Sequence, residues 1–119
     1  MSEEILEWTF IRKVAIPEFI EELMTDGEEG YQAFKTLRDV AVFTNKRLIV
    51  SDSQGITGRK KEIYSLPYKS IVMWLTENAG TTDRSAEVHG WARVGEIKIT
   101  LRRDIDVRAF DLLLAKVCL

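Results

Sequence analysis

The clearest pattern in the chain is a succession of short apolar runs separated by polar breaks over residues 38–71. The first break is Thr44–Arg47, with β-branched, aromatic and aliphatic residues on both sides. Such runs predict paired strands, and Asn45 suits the tight turn between them because Asn tolerates positive φ. A third strand starts near Lys60 and ends at Pro67, because proline has no N–H to donate to a sheet. The stretch therefore predicts a meander of antiparallel strands.

Four more segments have strand patterns. Tyr31–Thr36 precedes the meander, and Ala86–Ala92 alternates apolar with polar residues. Ile97–Leu101 has the cleanest period of two in the chain. Ile71–Thr76 is almost continuously apolar, and a run of this kind predicts a strand that is buried on both faces. We therefore expect another element to cover its outer face.

The last segment has the spacing of an amphipathic helix. Asp104 or Asp106 is its expected cap. Val107, Phe110 and Leu114 recur on one helical face, so we expect this helix to lie on apolar sheet surface.

The N-terminal segment is harder to interpret. Between Glu3 and Val14 its apolar residues follow neither a helical period nor strict alternation, which leaves a helix and an extended arm both open. Pro17 suits the first turn of a helix that runs to about Met24. We predict residues 1–27 to be a helical extension that serves packing or oligomerisation.

Several motifs in the same order carry a resemblance to a known family. They are VFTNKRLIV at 42–50, QGITGRKKE at 54–62, SLPYKSI at 65–71 and ENAG at 77–80. Over Glu28 to Val117 the chain resembles the bacterial pleckstrin-homology (PH-like) domain family. The resemblance implies a strongly bent antiparallel sheet, or partly open barrel, of about seven strands that a C-terminal helix closes at one end. It also implies ring-shaped homo-oligomers. It implies no particular chemistry, because PH-like folds host lipid, peptide and protein binding alike.

Composition and charge narrow the class of protein. The chain has 119 residues, of which 45% are hydrophobic and 30% charged, so we expect one globular domain. The predicted fold is mainly β (α+β), with a PH-like domain over residues 28–119. A net charge of −2 gives no basic field for nucleic acid, and it disfavours anionic membranes. One cysteine, an acidic start and the lack of a membrane-length apolar run predict a cytoplasmic protein.

A basic, glycine-containing turn is the strongest candidate for chemistry. Two glycines, at 55 and 58, precede three cations and are compatible with an anion-binding nest. The alternative is a plain hairpin turn with solvated charges. The candidate anion or lipid-headgroup residues are Lys46, Arg47, Arg59, Lys60 and Lys61. Eukaryotic lipid-binding PH domains carry a long basic first loop, but the corresponding turn here is only Leu37–Asp39.

No residue pattern indicates an enzyme. His89 is the sole histidine and Cys118 the sole cysteine, and they have no paired acid or base at a recognisable spacing. We therefore expect no catalysis, no metal and no cofactor.

The apolar load of the N-terminal segment predicts an interface. The candidate oligomer-interface residues are Ile5, Leu6, Trp8, Phe10, Ile11 and Trp74. The competing interpretation is that the segment folds back and covers Ile71–Thr76 from outside. The first functional hypothesis is a self-associating module that binds a protein or peptide partner. The second is a peripheral membrane module that uses the basic turn.

Overall fold

The structure, a computed structural model, describes residues 4–54, 60–77 and 85–119. Within these ranges eight strands form one sheet, and a long helix follows them. The strands are β1 Glu4–Val14, β2 Gly30–Thr36, β3 Asp39–Thr44, β4 Arg47–Gln54, β5 Lys60–Pro67, β6 Ile71–Glu77, β7 Ala86–Ala92 and β8 Gly95–Leu101. The helices are α1 Glu18–Glu21 and α2 Val107–Cys118, and a single 3-10 turn spans Tyr68–Ser70.

Strand β1 joins the two halves of the sheet. The strand order is β5-β4-β3-β2-β1-β8-β7-β6. The first part of β1, Glu4–Phe10, pairs in parallel with β8, and its last part pairs antiparallel with β2. The order leaves β5 and β6 at the two edges, and each pairs with one strand only among the described residues.

The helical extension predicted for residues 1–27 is wrong over most of its length. Residues 4–14 are strand, and the helix behind Pro17 is only the four residues of α1. In β1, Leu6, Trp8 and Phe10 turn towards the core. The pairing register shifts between Phe10 and Arg12, so a bulge interrupts the alternation that would have identified the strand. The expected count of about seven strands becomes eight in the described ranges for the same reason.

The main core is built around four phenylalanine rings. Phe10, Phe34 and Phe43 come from three adjacent strands, and Phe110 comes from α2. All six pairs of rings have centroids between 5.3 and 6.3 Å apart, and five of these pairs are edge-to-face. This geometry matches the favoured attraction between ring edges and ring faces, which adds to the burial of apolar area.

A second apolar cluster lies on the opposite face of β2, β3 and β4. Ile20 of α1 is fully buried there against strand residues such as Val42 and Ile49. The chain between β1 and β2 thus covers the outer face of the first half of the sheet. Gly30 permits this close approach, because a Cβ at that position would lie 2.5 Å from the Ile16 side chain.

The predicted cover over β6 is absent from the described part of the chain. Val72, Met73 and Leu75 are 76%, 54% and 48% exposed. Strand β1, which was one expected cover, is instead paired within the sheet. The inner face of β6 is partly buried through Ile71 and Trp74, which pack on the main core. The prediction of burial on both faces is therefore wrong, and β6 is an edge strand with an apolar outer surface.

The predicted C-terminal helix and its buried face are confirmed. The carboxylate of Asp106 accepts a hydrogen bond from the Arg108 backbone N–H, at 3.2 Å, and caps α2. Phe110 and Leu114 are buried, and Val107 packs at the edge of the same core.

Two leucines of α2 provide a matched test of this packing. We expect Leu114→Ala to lower the free energy of unfolding by about 2–5 kcal/mol, because it leaves a cavity beneath the helix. Leu112→Ala is the control, since Leu112 is 71% exposed on the same helix, and it should change stability by less than about 0.5 kcal/mol. Chemical denaturation of both variants measures the difference. Equal midpoints would show that α2 does not close the core.

Candidate functional site

Hydrogen bonds and an ion pair hold the turn between β3 and β4 against the segment that precedes β2. The Arg47 guanidinium donates from Nε to Glu28 Oε2 at 2.9 Å and from Nη2 to Glu28 Oε1 at 3.0 Å. Its Nη2 also donates to the Leu23 carbonyl, and its Nη1 donates to Ser65 Oγ. The Thr44 hydroxyl donates to Glu28 Oε2 at 2.7 Å. Arg47 is therefore a structural residue, and its donors are engaged within the chain.

The Glu28 side chain of this ion pair is almost fully buried, with 1% of its surface exposed to solvent. Hydrogen bonds from Arg47, and to a smaller extent from Thr44, lower the pKa of Glu28 from 4.5 to about 2 against the opposing effect of burial. Glu28 in turn raises the pKa of Arg47. Below the pair, the Tyr68 hydroxyl donates to the Thr44 and Arg47 carbonyls, and burial raises its pKa. The pair and the tyrosine together hold the β3–β4 turn between the segment that precedes β2 and the 3-10 turn that follows β5.

The structure separates the described residues of the predicted anion site into two groups. Lys46 Nζ donates to the Asp26 carbonyl at 3.2 Å. Lys61 Nζ lies 3.2 Å from Asp39 Oδ2 and 4.5 Å from the centre of the Phe19 ring. Lys60 is exposed on β5. Arg59 and the glycines of the basic turn lie outside the described residues.

Distance separates the predicted anion residues as well. Arg47 pairs with Pro67 at one end of the β4–β5 hairpin, and Gln54 pairs with Lys60 at the other end. Seven residue steps of about 3.4 Å place the two ends roughly 24 Å apart. Lys46 and Arg47 therefore do not share a binding surface with Lys60 and Lys61.

Most of the predicted oligomer patch is engaged in contacts within the chain. Phe10 is fully buried and Trp8 is 9% exposed, so the prediction that they meet a second copy is wrong. Leu6 packs against the core, and Ile11 is half-buried at the bulge of β1. The Trp74 indole Nε1 donates to Asp111 Oδ1 at 2.9 Å, which ties β6 to α2. The Ile5 side chain lies outside the described residues.

The two side chains best suited to catalysis have ordinary surroundings. His89 Nε2 lies 3.2 Å from Glu87 Oε1, and Lys98 bridges to the other oxygen of Glu87 at 3.5 Å. Cys118 is half-buried near the end of α2, and burial raises the pKa of its thiol. Across the described ranges, no group of three or more His, Cys, Asp or Glu side chains is placed to hold a metal ion. Neither helix of those ranges is long and apolar enough to cross a membrane.

The two edges of the sheet are the candidate binding surface that the structure defines. Strand β6 exposes Val72, Met73 and Leu75, and β5 exposes Ile63 on the corresponding outer face. Exposed apolar side chains beside unpaired backbone N–H and C=O groups are the usual mark of a strand that takes a partner. Sequence reasoning identified β6 as a strand but not as an exposed edge, because a continuously apolar strand is equally typical of burial on both faces.

A bent, open and mostly antiparallel sheet with a C-terminal helix over one end is the PH-like architecture. The chain matches the family model described as Bacterial PH domain over residues 1–118, which includes β1. It therefore belongs to the bacterial PH domain family, and the predicted resemblance is confirmed.

Individual relatives agree with the family assignment. The chain is 39% identical over 108 residues to the uncharacterised protein YjqA of Bacillus subtilis strain 168, covering 88% of this chain and 86% of that protein. It is similar to the crystal structure of a protein with a pleckstrin-homology domain from Shewanella loihica PV-4, with a TM-score of 0.80 and 36% identity, covering 91% and 97% of the two chains. A pleckstrin-homology domain from Shewanella amazonensis SB2B has a TM-score of 0.69 and 39% identity, with coverages of 85% and 83%.

The Glu28–Arg47 pair predicts a specific pH dependence. Because folding lowers the pKa of Glu28 from 4.5 to about 2, the pair stabilises the fold fully above pH 4.5, and this contribution is lost as the pH falls towards 2. We expect Glu28→Gln to cost on the order of 3 kcal/mol at pH 7 and to flatten the acid limb of the stability curve. Denaturation midpoints between pH 7 and pH 2 measure both effects.

Glu21→Gln is the control for this experiment, since it makes the same chemical change on an exposed position of α1. It should leave the curve unchanged. Parallel acid limbs for wild type and Glu28→Gln would show that the pair does not stabilise the fold.

Proposed function

We propose that the protein is a non-enzymatic interaction module that self-associates through its two sheet edges and binds protein or peptide partners. The observation that carries the proposal is the edge strand β6, whose Val72, Met73 and Leu75 are exposed on a strand that pairs with β7 alone among the described residues. Proteins normally protect such an edge with charge, proline or a covering element. Strand β6 has one charged residue, Glu77, at its end, so a partner strand is the remaining form of protection.

The β5 edge of a second copy has complementary chemistry. Within the sheet β5 and β6 run in the same direction, because each neighbouring pair of strands between them is antiparallel except β1 with β8. A second copy that continues the sheet with its outer face on the same side therefore sets its β5 edge parallel to β6. Ile63 can then lie beside Leu75 on the outer face, where cross-strand apolar pairs are favourable.

This contact is head-to-tail, because it joins two different edges. Every copy has one β5 edge and one β6 edge, so association continues from copy to copy and gives a ring where the rotation between copies closes. A ring also accords with the homo-oligomers that the family resemblance implies. The surroundings of His89 and Cys118 support a role without catalysis, since both side chains have contacts typical of structural residues.

The membrane-binding alternative and the cytoplasmic location stay predictions. Lys46, Arg47 and Lys61 are engaged within the chain, so no observation in the described ranges favours the membrane alternative over self-association.

Two edge variants test the proposal. We expect wild type to have a solution mass that is a multiple of 13.7 kDa at micromolar concentration. Ile63→Arg should block the β5 edge and Leu75→Arg the β6 edge, because each places a charge in an apolar contact, so each variant alone should be monomeric. An equimolar mixture should form a dimer, since each variant keeps the edge that the other has lost. Light scattering after size exclusion measures these masses.

Leu37→Arg is the matched control, because it changes an exposed leucine in the β2–β3 turn, away from both edges, and it should leave the mass unchanged. A monomeric wild type would overturn self-association. If Ile63→Arg still associates while Leu75→Arg does not, the contact joins two β6 edges and the head-to-tail arrangement is wrong.

A further inference from the structure

A cleft remains between α2 and the paired ends of β1 and β2. Its volume is about 190 Å³. Its floor is apolar, since Phe34 and Phe110 line it from the four-ring core. Ala109 and Leu113 of α2 form one wall, and the β2 residues opposite form the other. The cleft is separate from the two sheet edges.

Two lysines on the rim of this cleft have no ion-pair partner in the described part of the chain. Lys13 and Lys116 are exposed, and neither has a carboxylate oxygen within 4.0 Å among the described residues. Lys61 and Lys98, by contrast, each bridge to a carboxylate. Lys116 Nζ lies 4.4 Å from the centre of the Tyr31 ring, which holds the ammonium over the cleft without using its hydrogen bonds.

The charge of the lining selects a monoanion. Besides the two lysines, Asp106 is the one other charged residue among the described residues of the lining, so one net positive charge remains there. A dianionic phosphate carries more negative charge than the lining can neutralise, because Asp106 is also negative. A single carboxylate, by contrast, matches the one net positive charge of the lining. A carboxylate also accepts hydrogen bonds from two ammonium groups at once.

The size of the cleft limits the rest of the ligand. Clefts for drug-sized molecules and cofactors have volumes of roughly 300–1,000 Å³, so 190 Å³ suits one compact apolar group. Together with the phenyl floor, this excludes a large planar cofactor and fits one branched aliphatic side chain.

We propose that the cleft binds a carboxylate that carries a compact apolar group, as at the C-terminal residue of a peptide. Lys13 and Lys116 bind the carboxylate, and the side chain lies on Phe34 and Phe110. The peptide source rests on the proposed function, because it names the chemistry of a peptide partner. A free small acid presents the same group, and the experiment separates the two sources.

The test is an NMR chemical-shift titration of the full chain with three probes. They are an acetylated pentapeptide that ends in a leucine carboxylate, the same peptide as its C-terminal amide, and N-acetyl-leucine. We expect the carboxylate peptide to shift the backbone amides of Gln32, Ala109 and Lys116. The amide peptide should bind at least about tenfold more weakly, since it lacks the charge that the lysines recognise. Binding of N-acetyl-leucine without the peptide would support the cleft as a small-acid site and overturn the peptide source.

Variants distinguish binding in the cleft from non-specific electrostatic attraction. The double variant Lys13→Ala with Lys116→Ala should bind the carboxylate peptide about tenfold or more weakly, since both ammonium groups are lost. Ala109→Phe should abolish binding while both lysines remain, because it fills the cleft from an exposed position. Lys69→Ala is the charge-matched control outside the cleft and should bind like wild type.

Equal binding of the amide peptide, or unchanged binding by the double-lysine variant or by Ala109→Phe, would overturn the proposal. So would an absence of cleft shifts with all three probes. Self-association would be untouched by any of these results, because neither Ile63 nor Leu75 lines the cleft. A monomeric protein that still binds the carboxylate peptide would, conversely, overturn self-association and support the cleft.

Discussion

The contact among Phe10, Phe34, Phe43 and Phe110 is the interaction on which the rest of the structure depends. It joins three neighbouring strands to α2 with every ring touching the other three. Because α2 is held on the sheet by Phe110, the helix closes one end of the core and forms one wall of the lysine-rimmed cleft. The same contact fixes β1 between the two halves of the sheet, which sets β5 and β6 at the edges.

The parts of the fold that could be predicted from the sequence are those with a local signal. The hairpin around Asn45, the alternation of β8 and the apolar face of α2 each depend on residues that are neighbours in the chain. Strand β1 could not be recognised, because the bulge after Phe10 breaks its period of two. The outer face of β6 was misjudged because an apolar run has the same pattern in an edge strand as in a buried one.

The candidate sites were less predictable because they depend on distant partners. Nothing near Arg47 in the sequence indicates that Glu28, nineteen residues away, engages its guanidinium. The predicted anion-binding cations lie at the two ends of the β4–β5 hairpin. They are close enough in the sequence to suggest one basic patch, but the length of β4 separates them in the structure. The cleft at Lys13 and Lys116 joins residues from opposite ends of the chain, so only the packed structure brings them together.

The parallel pairing of β1 with β8 has a consequence for how the protein forms during synthesis. Glu4 pairs with Gly95 and Phe10 pairs with Leu101, so the partners are 91 residues apart. The meander β2–β5 contains only neighbouring hairpins and can assemble as soon as it is made, whereas long-range pairing is slow because a large loop must close first. On the ribosome, β1 therefore waits for β8, and its tryptophan and phenylalanine remain without their final neighbours until that later strand and α2 have been made.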